Sequence, residues 1–111
     1  MDQADPNEWR GFRNRRKPSG EEWAAARSGF TSGAAITGIV PSHHPFGFFV
    51  DLGSPVVGLV EISHVKDPDQ AVVPEDYPAV GQEVTAVVLM AVDLQRQVHL
   101  SIRPSDLKAA T

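Results

Sequence analysis

The feature that most constrains this chain is a run of short strand-like stretches with almost nothing helical between them. Ala34–Pro41, Phe46–Leu52, Val56–Ile62, Glu83–Val92 and Gln97–Arg103 each hold a few apolar or β-branched residues between turn-forming ones. The last alternates cleanly, with Val98, Leu100 and Ile102 set against Gln97, His99 and Ser101. Pro41-Ser42 ends the first stretch and Gly53-Ser54-Pro55 the second, while Asp93–Arg96 is short enough for a hairpin. Only Lys66–Gly81 is long; it contains Pro68, Pro74 and Pro78 and reads as a loop. Parallel neighbours need crossovers of about a dozen residues or more, usually helical. Those are missing, so the expected fold is all-β, a small five-stranded antiparallel barrel.

The first thirty residues follow different rules. Met1–Pro18 is polar and charged, with Arg10, Arg13, Arg15, Arg16 and Lys17 around Trp9 and Phe12, and reads as a basic, flexible arm. Ser19-Gly20-Glu21-Glu22 has capping-box spacing, and Trp23–Arg27 has good helix propensity. A helix this short needs tertiary support, so Trp23 and Phe30 are expected to pack on the barrel. The expected organisation is an arm at 1–18, a short helix and connection at 19–30, the barrel at 31–104 and a tail at 105–111. Charge divides along the same line. From residue 31 onward, four bases (Lys66, Arg96, Arg103, Lys108) face nine acids, so a basic arm precedes an acidic body.

Several function classes fall away. With no cysteine, thiolate metal sites, disulfides and cysteine nucleophiles are excluded, and the composition suits a reducing cytoplasm. Apolar runs such as Val84–Val92 are far short of the ~20 residues of a membrane helix. Met1–Lys17 lacks the apolar segment of a signal peptide, so no leader and no membrane association are expected, and the location expected is cytoplasmic. His43 and His44 are adjacent and point apart, while His64 and His99 show no ligand spacing; no metal or other cofactor is expected. Asp51, Glu61, Asp93, Ser63 and Ser101 form no recognisable catalytic set, so the chain is not read as an enzyme. Tyr77 reads as an anchor pinning the long loop.

The ordered pieces Gly38-Ile39-Val40, Phe46-Gly47-Phe48-Phe49-Val50-Asp51-Leu52, Gly58-Leu59-Val60-Glu61-Ile62-Ser63, Tyr77, Val80-Gly81-Gln82-Glu83-Val84, Val92-Asp93 and Val98-His99-Leu100-Ser101 resemble an S1-type RNA-binding domain. That is the OB-fold module of ribosomal protein S1 and polynucleotide phosphorylase. The resemblance covers about Thr31–Pro104 and implies an OB-fold barrel that binds single-stranded RNA without catalysis. It also implies that aromatics at Phe46 and Phe49 stack on bases. Strand alternation puts Phe49 and Asp51 outward and Phe48 and Val50 inward. Simple parity turns Phe46 inward unless Gly47 re-aims it, so Phe46 and Phe49 as core residues remain the plain alternative. Asp93 would accept a hydrogen bond or fix the hairpin, and Arg96 with Arg13, Arg15, Arg16 and Lys17 would contribute electrostatics.

The chain departs from the family pattern at informative places. Glu61 stands where many members carry His. Gln97 stands where they usually carry Arg or Lys, with Arg96 one place earlier. The Glu83–Val92 strand is apolar and one residue longer than the pattern, which predicts a bulge and an outer face covered by the Trp23 helix or by a partner. The alternative function is therefore a protein-interaction adaptor of the same fold, in a ribosomal, transcription or RNA-processing complex with RNA binding reduced or lost. A homodimer through Val84–Val92 is a further possibility.

Overall fold

A computed structural model describes residues 18–53 and 55–110. Helix α1 (Gly20–Arg27) is followed by strands β1 (Ala35–Ile39), β2 (His43–His44), β3 (Gly47–Asp51), β4 (Val57–Glu61), β5 (Glu83–Val92) and β6 (Gln97–Ser101), then by helix α2 (Pro104–Ala109). The strand order is β1-β5-β6-β4-β3-β2, and a β1–β3 pairing of Ile39 with Asp51 closes the sheet. This is the five-stranded OB-type barrel, with β2 a two-residue addition beside β3. Every pairing is antiparallel except β4 with β6, which run parallel.

The alternation in the sequence becomes the core. Val40, Phe48, Val56, Val60, Val98 and Leu100 are wholly inaccessible, with Val50 and Val88 almost so. Each such burial contributes roughly 1.5–3 kcal/mol relative to exposure. The extra residue in β5 is a bulge between Val88 and Met90. Before it Val84, Ala86 and Val88 face inward; after it Ala91 does, while Met90 turns out. Val87, outward by parity, is nonetheless buried and lines a recess with Asp106, Ala109 and Ala110 of the α2 region.

Both helices are fastened by named groups. Ser19 Oγ accepts from the Glu22 amide at 3.1 Å and Glu22 Oε1 accepts from the Ser19 amide at 2.8 Å, the full capping box. Trp23 then joins the core, and its Nε1 donates to Asp93 Oδ1 at 2.7 Å. The last residues, read from the sequence as a tail, hold α2. Pro104 at its first turn pre-sets the helical φ. Buried Ser101 donates to Asp106 Oδ2 at 2.6 Å, and Ser105 Oγ donates to Asp67 Oδ1 at 2.6 Å.

Candidate nucleic-acid interface

The outer surface of β3, β4 and β6 carries the site. Register places Phe49 beside Leu59, Leu59 beside His99 and His99 beside Met90, one row across four strands. The next row runs Asp51, Val57, Gln97 and Val92. A concavity of about 440 Å³ lies over part of these rows, lined by Phe46, Phe49, Leu59, Glu61, Gln97 and His99, with Gln95 at the turn.

Gly47 aims Phe46 into it. Its φ is +148°, which side-chain-bearing residues rarely adopt, and a Cβ there would strike the Val60 carbonyl oxygen. The chain therefore does not continue simple strand parity before Gly47, and Phe46 emerges 49% exposed although parity turns it inward. Phe46 and Phe49 meet edge to face at 6.0 Å between centroids. His44 stacks on Phe46 at 5.0 Å with 10° between planes and meets Phe49 edge-on at 5.2 Å. The imidazole is placed by a 2.9 Å contact of Nε2 with Ser42 Oγ, and its backbone carbonyl accepts from the Tyr77 hydroxyl at 2.9 Å. Tyr77 thus pins the long loop to the root of the aromatic cluster, and burial holds its phenol pKa above the ordinary value. Phe48 points into the core against Tyr77.

Asp93 and Arg96 occupy the β5–β6 turn instead. Asp93 Oδ1 accepts from Trp23 and pairs with Arg27 Nε at 2.9 Å. Arg96 has φ +54°, and its Nη1 donates to the Pro18 carbonyl at 2.9 Å. Gln97, not Arg96, follows the turn onto the concave face. The structure thus brings Phe46 and Phe49 together and gathers Asp93 and Arg96 around α1. Arg13, Arg15, Arg16 and Lys17 lie outside the described residues. Leu59 and His99 complete the site unannounced, beside Gln97, which the sequence had marked as a departure; their signal was outward strand parity, but their adjacency depends on the parallel β4–β6 pairing.

A family model described as the S1 RNA binding domain matches residues 30–103. The chain belongs to that family. This S1 domain is 33% identical over 81 residues to small ribosomal subunit protein bS1 of Chlamydia muridarum, a match covering 73% of this chain and 14% of that protein. Among solved structures it is similar to GSP13 from Bacillus subtilis, with a TM-score of 0.59 and 32% identity over 74% of this chain and 61% of that one. It is also similar to a chain in the a/eIF2alpha–aDim2p–rRNA complex of Pyrococcus horikoshii OT3, with a TM-score of 0.59 and 25% identity over 71% of this chain and 49% of that one. The S1 domain therefore spans only part of each of these relatives. Among the described residues no helix is long and apolar enough to cross a membrane.

Proposed function

We propose that this chain binds single-stranded RNA, without catalysis, by stacking bases on Phe46 and Phe49. The observation that carries the reading is the pair of edge-to-face phenylalanines, one of them half exposed, over an open concavity in a chain of the S1 RNA binding domain family. Base stacking on an aromatic contributes ~1–3 kcal/mol and tolerates sequence, because every base presents a π-face. The similar chain from Pyrococcus belongs to a complex with rRNA, which supports RNA as the ligand class.

The basic run supplies the electrostatic half of the proposal. Pro18, the root of that run, is held by Arg96 at the turn that also carries Gln95 and Gln97. Asp93 and Arg96 serve binding here by fixing α1 and that root, with Arg96 adding positive charge. The adaptor alternative drew on Glu61, Gln97, the acidic body and the apolar outer face of β5; on that face Val87 is buried, while Met90 is 57% exposed.

Anisotropy of a labelled RNA about a dozen nucleotides long tests the reading. The Phe46→Ala/Phe49→Ala double variant is expected to bind at least ~10-fold more weakly while remaining folded, since two stacking contacts are removed. Undiminished binding by the folded double variant would refute the stacking site. Removal of residues 1–18 is expected to weaken binding and to flatten its dependence on salt, each lost phosphate contact reducing the slope by roughly one. An unchanged salt slope would refute the role of the arm.

A further inference from the structure

We infer that Glu61 makes the stacking face selective for guanine. The inference rests on the RNA-binding reading and concerns which base that same site prefers. Glu61 lies at the end of β4, directly across from Gly47 and next to the backbone that carries Phe46, whose carbonyl accepts from the Ile62 amide at 2.8 Å. Its side chain is 47% exposed and lines the concavity together with both phenylalanines. Among the described residues its basic neighbour is His99, with Nδ1 at 3.8 Å, too far for a hydrogen bond. No lysine or arginine is among the described residues lining the concavity. His99 Nε2 is itself buried with no hydrogen-bond partner among the described residues. The aromatic floor is thus bordered by a carboxylate that accepts no hydrogen bond from the described residues.

A carboxylate only accepts hydrogen bonds and repels phosphate, so it favours a ligand edge rich in donors. The four bases differ sharply on that criterion. The Watson–Crick edge of uracil offers one N–H between two carbonyls. Cytosine and adenine each offer an amino group beside an acceptor nitrogen, which opposes the second carboxylate oxygen. Guanine alone presents two adjacent donors, N1–H and the N2 amino group, which match a carboxylate in parallel, charge-assisted hydrogen bonds. The amide groups of Gln95 and Gln97, on the same concavity, supply donors for the guanine O6 carbonyl. Stacking gives sequence-tolerant affinity; Glu61 then decides which base occupies the favoured place.

The test compares a labelled all-uridine oligonucleotide of about a dozen residues with versions carrying one central guanosine, inosine or adenosine, by anisotropy. The wild-type chain is expected to bind the guanosine oligonucleotide at least ~5-fold more tightly than the all-uridine one, the low end of what a bidentate base contact provides. Inosine, which lacks only the N2 amino group, should lose most of that gain. Glu61→Gln exchanges one charged acceptor pair for an amide, at an exposed position that preserves the fold. It should bring the guanosine-to-uridine ratio to within ~2-fold, because the paired acceptors are gone. A ratio of one in the wild type, or a ratio unaltered by Glu61→Gln, overturns the inference while leaving stacking intact. Absence of binding to every oligonucleotide overturns the inference and the RNA-binding reading together.

Discussion

Gly47→Ala should unfold at a much lower temperature than the wild type and lose RNA binding with it. Two costs combine at this position. Alanine would have to adopt φ near +148°, and strained backbone of this kind costs ~1–3 kcal/mol. The new methyl would also meet the backbone of Val60 and Glu61 on the paired strand, which cannot swing aside as a side-chain tip would. Overpacking of that kind adds ~1–3 kcal/mol. A small domain has only about 5–15 kcal/mol to lose. At ~4–8 °C per kcal/mol, the two costs together lower the melting temperature by tens of degrees. Gly81→Ala separates them, since Gly81 has φ +90° but open space around its missing Cβ. It should show the backbone cost alone, about 1–2 kcal/mol. Equal melting temperatures for the two variants would show that contact with β4 contributes nothing.

The second large effect is expected at Trp23. This side chain is 5% exposed and belongs to the core cluster, although its helix precedes the barrel in sequence. Trp23→Ala should cost about 3–5 kcal/mol in denaturant unfolding, the range for removing a buried indole. Trp23→Phe keeps most of the apolar contact and loses the 2.7 Å hydrogen bond to Asp93. Asp93 is largely exposed and keeps its ion pair with Arg27, so water replaces the lost donor and the cost should be about 1 kcal/mol. If Trp23→Ala unfolds with the wild-type midpoint and slope, α1 is an appendage, not part of the cooperative unit.

The architecture was largely legible because strand alternation and the capping box are local signals. Phe48, Val50, Val98 and Leu100 fell inside by parity alone, and the extra residue in β5 announced its bulge. Pro104 carries a helix-start signal too, but the few residues after it are too short a stretch to declare a helix by themselves. The site was only partly legible because its geometry is not local. Phe46 leaves the parity pattern through one glycine torsion, which no periodicity encodes. The sequence suggested that Asp93 accepts a hydrogen bond or fixes the hairpin, but its donor is Trp23, seventy positions away. Glu61 and His99 become neighbours only through the register of β4 with β6, and register between distant strands cannot be counted along the chain.

That parallel register also sets the order in which the molecule can be completed. β6 is last of the strands in sequence yet sits between β5 and β4, so before it arrives both of those strands present bare edges. A chain growing from its N-terminus therefore holds Phe48, Val60 and Val88 as unfinished apolar surface until Val98 and Leu100 have been added. The pairing joins segments about forty residues apart, a non-local contact whose closure entropy is lost before the new contacts offset it. The aromatic floor likewise lacks His99 and Gln97 until that moment. During synthesis the module thus gains its closed sheet and its complete concave face in the same late step.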